Sequence, residues 1–353
     1  MKKNNSKKWI KTITITTAVL VFAAGAVFAF KSAGTVNTDK DSADTVVAAA
    51  NETTDLVVKE TASEKETEVI TETAATEATT EEAFEGEYIV NADYVKENLD
   101  DIILVDARGE DAANKETIKG AIPIAWQYLA TCEDGKSGDA NWGCILDTER
   151  LSERLGEKGL DPNKEIVLFA AAQNGWGDDG RIAWELIAAG YKDVKMVDGG
   201  FDALKEAGIE TAKGGSEPKA VDVKIDSIDT THVINTDELK ANYDDYKVVD
   251  VRADEEYDGE TLYGEAKGGH LPGAIHIRYT DLFQKSGMLK SNAEITKMFE
   301  DAGITKDDKV VTYCTAGIRS GYMQLILEMC GFKNTQNYDE SYYRWCAVED
   351  VEK

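Results

Sequence analysis

The feature that most constrains this chain is an internal repeat. The segment Ile103 to Arg108 corresponds to Val248 to Arg252, and residues 159–169 correspond to 303–313 in the same register. Each copy alternates short apolar runs with amphipathic segments, a pattern typical of parallel strands connected by helices. The sequence therefore predicts an α/β fold built twice, each copy an open, mainly parallel sheet with helices on both faces.

We place the first copy at residues 87–212, an inter-domain linker at 213–231 and the second copy at 232–353. The chain has 353 residues, 42% of them hydrophobic, which is enough for two ordinary domains after a non-globular start is set aside.

The second copy contains a cysteine in a distinctive local setting. The run Val310 to Tyr313 predicts a buried strand, Cys314 follows it, and an apolar helical run begins at Tyr322. Loop N–H groups, the helix dipole and Arg319 would all favour the thiolate there and lower the thiol pKa from about 8.5. A buried structural cysteine is the alternative, but Gly317 and Arg319 favour a reactive thiol.

The first copy lacks this nucleophile, because Ala170 stands in register with Cys314. A longer loop rich in glycine and acidic residues, 173–181, replaces the cysteine loop. Trp176 and Trp184 in and after this loop are predicted either to cover the pocket of the second copy or to serve only in packing.

Three motifs of the second copy resemble those of the rhodanese sulfurtransferases. Cys314, four residues and Arg319 are similar to the active-site loop of that family. The strand 248–252 with Glu256 and Tyr257, and the turn 269–275, are similar to its two other signatures. The repeat resembles two-domain rhodaneses, which implies an inactive amino-terminal domain packed on an active carboxyl-terminal one, with the catalytic pocket between them.

The resemblance implies covalent sulfur transfer. Cys314 would take a sulfur atom from a small anionic donor, thiosulfate or 3-mercaptopyruvate, and pass it from a persulfide to a thiophilic acceptor such as cyanide or a thiol. Arg319 would orient or neutralise the donor, and the intervening loop would bind substrate. These predicted substrate-binding residues are Thr315, Ala316, Gly317, Ile318 and Ser320. No metal and no organic cofactor are implied.

Two charged residues and the histidines need separate interpretation. Asp250 is predicted to be structural, whereas Arg252 is given a donor-binding role because arginine suits anionic oxygens. His270 precedes a Leu-Pro-Gly turn and is expected to be structural in this family. His232 and His276 have no partner in sequence, and three scattered histidines do not predict a metal site.

The amino-terminal region predicts export. Residues 1–30 are basic and then apolar, which indicates a cleaved signal peptide or a membrane anchor through residues 9–30. Residues 31–86, rich in Thr, Glu and Ala, predict a disordered tether, so an extracellular or cell-surface location is expected. The net charge of −28 excludes nucleic acid as a partner. Nothing in the sequence indicates the oligomeric state.

Export would permit disulfides, and the spacing suggests Cys132 with Cys144 and Cys330 with Cys346, leaving Cys314 free. Two other functions stay open: a surface module that carries sulfur or binds a partner without turnover, and a phosphatase resembling rhodanese-like dual-specificity enzymes. The phosphatase loop has one more residue between cysteine and arginine, so the shorter loop here argues against it.

Overall fold

A computed structural model describes residues 82–353 of the chain. The predicted leader and nearly all of the predicted tether therefore lie outside the described residues. Within them, no helix has the length and apolar character needed to cross a membrane.

The first copy forms a five-stranded parallel sheet and a small antiparallel pair. Its strands are β1 (Ile89–Val90), β2 (Ile103–Asp106), β3 (Thr117–Ile118), β4 (Ile122–Pro123), β5 (Ile166–Phe169), β6 (Val194–Val197) and β7 (Thr211–Ala212). The order in the sheet is β1-β6-β5-β2-β4, and β3 pairs with β7. Its helices are α1 (Ala92–Asn98), α2 (Glu110–Ala113), α3 (Thr148–Glu157), α4 (Asp178–Ala188) and α5 (Gly200–Glu206).

The second copy repeats this topology. Its strands are β8 (Val233–Ile234), β9 (Lys247–Asp250), β10 (Ile275–His276), β11 (Lys309–Tyr313) and β12 (Asn334–Tyr338), in the order β10-β9-β11-β12-β8 with every pair parallel. Its helices are α6 (Thr236–Ala241), α7 (Asp254–Tyr257), α8 (Asn292–Asp301), α9 (Ile318–Met329) and α10 (Ser341–Val348). The predicted fold class, two parallel sheets each surrounded by helices, is confirmed. Five short 3₁₀ helices complete the described secondary structure: Trp126–Leu129, Thr131–Glu133, Ala172–Asn174, Tyr243–Asp245 and Tyr279–Leu282.

Strand β11 shows why the short apolar and β-branched runs of the sequence form central strands. Val310 packs into the core that the two copies share, whereas Val311 and Tyr313 pack into a separate core on the other face of the sheet. A strand buried on both faces needs continuous apolar and β-branched residues rather than alternation with polar ones. The β-branched run that predicted β11 therefore reflects its central place in the sheet.

Helices α4 and α9 pack against each other between the two sheets. Both belong to the shared core, with Ile182 of α4 and Leu325 of α9 almost fully buried. Gly180 of α4 lies against the ring of Tyr322 of α9, at a distance where a Cβ atom would clash. Because α4 follows β5 and α9 follows β11, this contact brings the carboxyl ends of two equivalent strands to the boundary between the copies.

The folded part of the chain begins before residue 87, the start predicted from the sequence. Phe84 falls inside the predicted tether, yet it is 5% exposed and belongs to the shared core. Glu85 and Asn292 exchange two hydrogen bonds of 2.8 Å, which tie this segment to α8. The tether prediction is therefore wrong for residues 84–86, because burial of an aromatic ring offsets the entropy of ordering them.

Candidate active site

The loop after β11 places Cys314 at the carboxyl end of the sheet. Cys314 is 1% exposed, and its backbone is held by the start of α10. The N–H of Cys314 donates to Ser341 Oγ at 2.9 Å, and the Ser341 hydroxyl donates to the carbonyl of Cys314 at 3.0 Å. Ser341 itself has a positive φ of 55°, a conformation that non-glycine residues rarely adopt. Local backbone strain is therefore maintained next to the thiol.

The surroundings of Cys314 favour its thiolate form. Burial by itself would raise the pKa of the thiol, but the charge of Arg319, the N–H groups of Ser320 and Ala316 and the Ser320 hydroxyl together outweigh it. The pKa of Cys314 is consequently lowered, with Ser320 Oγ 3.7 Å from Sγ. A buried thiol with a lowered pKa is the nucleophilic kind of cysteine.

The guanidinium of Arg319 is bound by a carboxylate that the sequence analysis gave no role. Arg319 Nη1 and Nη2 donate to the two oxygens of Glu256 at 2.7 and 2.8 Å. Thr315 Oγ1 donates to Glu256 at 2.6 Å and accepts from Arg319 Nη2 at 2.9 Å. Burial would raise the pKa of Glu256, but the Arg319 guanidinium and Thr315 hold it below its ordinary value.

This network changes the interpretation of Arg319. The arginine lies beside the thiol as predicted and its charge lowers the pKa of Cys314, but both terminal nitrogens of its guanidinium are also bound to Glu256. The sequence signal for Glu256 is its place in the motif of residues 248–257 that resembles a family signature, and the structure adds that it is fully buried although its neighbours Asp254 and Glu255 are exposed.

Asp250 and Arg252 form a separate buried pair. Arg252 Nη2 donates to Asp250 at 2.6 Å and to the carbonyl of Gly269 at 2.6 Å, and its guanidinium lies 3.8 Å from the centre of the Tyr342 ring. Both side chains are fully buried. Asp250 thus occupies a structural position. Arg252 is not in the lining of the cavity above Cys314, although it borders a neighbouring cavity, and the donor-binding role predicted for it stays a prediction.

His270 lies in a stack of three rings. Tyr257 is sandwiched between His270 and His276, with ring centres 3.8 and 4.3 Å away. His270 Nδ1 lies 3.0 Å from the carbonyl of Tyr257, and His276 Nε2 lies 3.0 Å from that of Arg252. His276, expected to have no partner, therefore has a packing role. Residues 82–353 contain no group of three or more potential ligands that could hold a metal ion.

A cavity of about 340 Å³ opens above Cys314. It is lined by residues of both copies: Trp126, Gln127, Trp142, Trp176, Asp178, Tyr263, Cys314, Thr315, Ala316, Ile318, Arg319 and Tyr343. Three of the five predicted loop residues, Thr315, Ala316 and Ile318, are in this lining. Ser320 lies behind the thiol instead.

Gly317 also lies outside the lining, and its backbone conformation explains why glycine stands there. Its φ is +82°, and a Cβ atom would lie 2.7 Å from the carbonyl oxygen of Asp339 and 2.8 Å from Arg181 Nη1. Glycine is therefore needed here for the turn and for close packing between the copies, and the substrate contact predicted for Gly317 stays a prediction.

The first copy supplies one wall of the cavity. Trp176 lines it, as one of the two interpretations predicted, and lies 4.9 Å from the Arg319 guanidinium. Trp184 is outside the lining, 2% exposed and packed 5.0 Å from the Arg181 guanidinium. Trp126 begins a 3₁₀ helix and Trp142 lies in a turn, and sequence reasoning missed both because neither belongs to a motif.

Asp178 is the acidic residue of the cavity lining. It stands at the start of α4 and is half-buried, and burial raises the pKa of its carboxyl to about 6. It is therefore mostly ionised at neutral pH.

Arg181 of the first copy is bound directly to the cysteine loop of the second. Its fully buried guanidinium donates to the carbonyl of Gly317 at 3.2 Å and to the carboxylate of Asp339. It also binds Glu185 of its own helix at 2.8 Å. The first copy therefore fixes the position of the loop that carries the thiol.

All five cysteines are free in the structure. The suggested pair Cys330 with Cys346 is wrong, because Cys330 lies in the shared core and Cys346 in the core on the opposite face of the second sheet. Cys132 and Cys144 are likewise unpaired. Burial raises the pKa of Cys132 and Cys330 to about 11 and also raises that of Cys144, in contrast to Cys314.

Comparison with known proteins identifies the family. A profile described as the rhodanese-like domain matches residues 91–207 and again residues 235–348. The chain belongs to the rhodanese-like family. Within this family of sulfurtransferases, the second rhodanese domain carries Cys314 and the first has Ala170 at the equivalent position.

Two curated relatives are similar along most of their length. The chain is 26% identical over 274 residues to a candidate thiosulfate sulfurtransferase of Mycobacterium leprae, covering 74% of this chain and 96% of that protein. It is 28% identical over 283 residues to the sulfur carrier protein TtuD of Thermus thermophilus, covering 73% and 93%. These relatives support sulfur transfer at the level of the family.

Solved structures show the same fold. The anaerobic ergothioneine biosynthesis enzyme of Chlorobium limicola, in complex with trimethyl histidine, matches with a TM-score of 0.65 and 22% identity, covering 73% of this chain and 68% of that one. The similarity shows that this chain and that enzyme share a fold.

Proposed function

We propose that this rhodanese is a sulfurtransferase in which Cys314 carries the transferred sulfur as a persulfide. The observation that carries the proposal is the buried Cys314 thiol at the base of an open cavity, with its pKa lowered by Arg319 and by loop N–H groups. The first domain has alanine at the equivalent position, so one such centre is expected in the chain.

The chemistry divides into two half-reactions. The Cys314 thiolate attacks the outer sulfur of a donor. The bond between that sulfur and the rest of the donor breaks, and the electron pair of this bond leaves with the rest of the donor molecule. An acceptor then attacks the outer sulfur of the persulfide and releases Cys314 as a thiolate. The N–H groups of Ala316 and Ser320 stabilise the anionic sulfur at both ends of the cycle.

The charges around the cavity influence which sulfur donor can bind there. Arg319 is the cation among the residues lining the cavity, and Glu256 already binds both of its forked N–H groups. Thiosulfate carries two negative charges and 3-mercaptopyruvate carries one carboxylate. We therefore expect 3-mercaptopyruvate to be accepted better than thiosulfate, because less anionic charge has to be placed near Asp178 and Glu256.

The length of the cysteine loop argues against the phosphatase alternative. Four residues separate Cys314 from Arg319, one fewer than in the rhodanese-like dual-specificity phosphatases, which leaves less room for a phosphate. A sulfur carrier is the stronger second candidate, favoured by the similarity to TtuD. A carrier would form the same persulfide but would release sulfur only to a partner protein.

We also propose that the protein is exported and held at the cell surface by its amino-terminal region. The support is the sequence of residues 1–30, basic and then apolar, followed by the Thr- and Glu-rich segment. Mass analysis of the amino terminus from a surface fraction distinguishes a cleaved signal from a retained anchor, and recovery of the intact chain in the cytosolic fraction would contradict export.

Intact mass of the purified protein tests the persulfide. After incubation with 3-mercaptopyruvate or thiosulfate we expect a gain of one sulfur, about 32 Da, that cyanide discharges. Cys314→Ala should abolish the gain, whereas Cys330→Ala, the matched control at a buried cysteine outside the cavity, should retain it. Repeated turnover with cyanide indicates a transferase, and a loaded persulfide that cyanide does not discharge indicates a carrier. No gain on reduced protein with either donor would contradict the proposal.

A further inference from the structure

The cavity above Cys314 is walled by aromatic rings from both domains. Trp176 of the first domain meets Tyr263 of the second edge to face, with ring centres 5.2 Å apart at 86°. Trp142 of the first domain meets Tyr343 of the second in the same manner, at 5.5 Å and 86°. Trp126 adds a fifth ring to the lining. Each of the two edge-to-face pairs thus crosses the boundary between the domains.

The two aromatic pairs are connected to each other. The Tyr343 hydroxyl donates to the backbone carbonyl of Tyr263 at 2.8 Å, and the indole N–H of Trp142 donates to the carbonyl of Cys132 at 3.1 Å. These bonds fix two of the rings that border the cavity. A rigid set of rings around a small volume is the arrangement in which ring faces bind organic cations.

The charges of the lining point to the same class of ligand. Asp178 contributes a carboxylate, and the positive charge of Arg319 is offset in part by its bidentate pair with Glu256. Arg319 is the one cation among the described residues that line the cavity, and its guanidinium acts on the Cys314 thiol and lies 4.9 Å from the Trp176 ring. An anion would therefore be stabilised by Arg319 and the N–H groups close to Cys314, whereas a cation would meet the remaining rings and Asp178.

We infer that this cavity binds a small organic cation, and that the sulfur acceptor is an aminothiol whose ammonium group lies among the rings while its thiol reaches Cys314. This inference rests on the proposed persulfide and names its acceptor class. The acceptor thiolate attacks the outer, protonated sulfur of the Cys314 persulfide. The bond between the two persulfide sulfurs breaks, its electron pair returns to Cys314 as a thiolate, and the acceptor leaves as a persulfide. The sulfur is transferred without an external oxidant or reductant.

Discharge of the loaded protein by three small thiols tests the acceptor class. The full chain carrying a Cys314 persulfide is treated with thiocholine, 2-mercaptoethanol or mercaptoacetate, which are cationic, neutral and anionic. Each rate is divided by the rate of the same thiol with a small neutral disulfide, which removes differences in intrinsic reactivity. We expect thiocholine to exceed mercaptoacetate by about tenfold or more after this correction.

Two substitutions at one exposed ring separate ring chemistry from apolar contact. Trp176 is 43% exposed, so its replacement should not prevent folding. Trp176→Leu retains apolar surface but removes the ring, and it should lower the preference for thiocholine several-fold, whereas Trp176→Phe should retain much of it. The rates are compared at equal Cys314 loading. Equal or greater corrected rates with mercaptoacetate would overturn the inference, while the persulfide proposal would stand.

Equilibrium binding provides a readout that needs no sulfur chemistry. Tetramethylammonium chloride should quench tryptophan fluorescence saturably in the unloaded protein, more weakly in Trp176→Leu, and sodium chloride at equal concentration should not. If the protein fails to load with any donor, the persulfide proposal fails but this titration still decides the inference. Absence of saturable binding would overturn it.

Discussion

The buried pair of Glu256 and Arg319 makes a quantitative prediction about stability. Glu256 is fully buried and accepts four hydrogen bonds, two from Arg319, one from Thr315 and one from the N–H of Ala253. Glu256→Gln retains the shape of the side chain but removes its charge. The amide has only one oxygen, so either its NH₂ group faces the Arg319 guanidinium or one N–H of Arg319 is left without an acceptor. Breaking one partner of a buried pair costs about 3–5 kcal/mol. We expect the free energy of unfolding to fall by that amount at pH 7.

Urea unfolding followed by tryptophan fluorescence measures this loss. Glu255→Gln is the matched control, since Glu255 precedes Glu256 but is exposed, and its substitution should change stability by no more than about 0.5 kcal/mol. A loss below about 1 kcal/mol for Glu256→Gln, the size typical of a surface pair, would refute the reasoning.

The pH dependence of the same variant gives an independent check. The pKa of Glu256 is lowered in the folded protein, so its stabilising effect is fully present above the unfolded value of about 4.3 and is lost as the pH falls through the folded value. Protonated Glu256 resembles glutamine. The difference in stability between the native protein and Glu256→Gln should therefore narrow as the pH is lowered below about 4, and a difference that widens there would contradict this assignment.

Two further predictions concern the cysteine loop. Because the pKa of Cys314 is lowered, the rate of its alkylation by iodoacetamide, followed by mass, should rise with pH and level off below the pKa of about 8.5 that is ordinary for thiols. Ser320→Ala should move the midpoint of this pH profile upward. An unchanged midpoint would show that the Ser320 hydroxyl does not stabilise the thiolate. Gly317→Ala should cost about 3 kcal/mol or more in urea unfolding, because the positive φ costs about 1–2 kcal/mol and the new Cβ also meets Asp339 and Arg181. Gly303→Ala is the control, with a similar φ of +81° and no atom within 4 Å of the new Cβ, and equal losses at both positions would argue against the close contact.

The fold could be predicted well from the sequence because it depends on local patterns that occur twice in the chain. Short β-branched runs such as Val310 and Val311 are required wherever a parallel strand is covered on both faces, so the repeat of these runs predicted two parallel sheets. The position of Cys314 followed from the order strand, cysteine, loop and helix. Its surroundings of N–H groups and Arg319 followed from the same order.

The partners of the site residues could not be predicted in the same way. Glu256 meets Arg319 across 63 positions of sequence, and Trp142 meets Tyr343 across a much longer separation and across two domains. Such contacts depend on how distant segments pack together, and this packing cannot be predicted from the local periodicity of the sequence. The same limit applies to Arg252, whose side-chain type suggested an anion ligand but could not show that the fold buries it.

The contacts across the boundary explain why the domain without the cysteine is part of the candidate active site. Cys314 and Arg319 belong to the second domain, but the carbonyl of Gly317 is held by Arg181 of the first. The first domain also supplies Trp126, Trp142 and Trp176, three of the five aromatic rings of the cavity. Its loop between Ala170 and α4 is longer than the cysteine loop, which brings Trp176 over Arg319. A single rhodanese domain would place the thiol but would leave it without this wall, so we expect the selectivity of the proposed site to depend on the domain that lacks the cysteine.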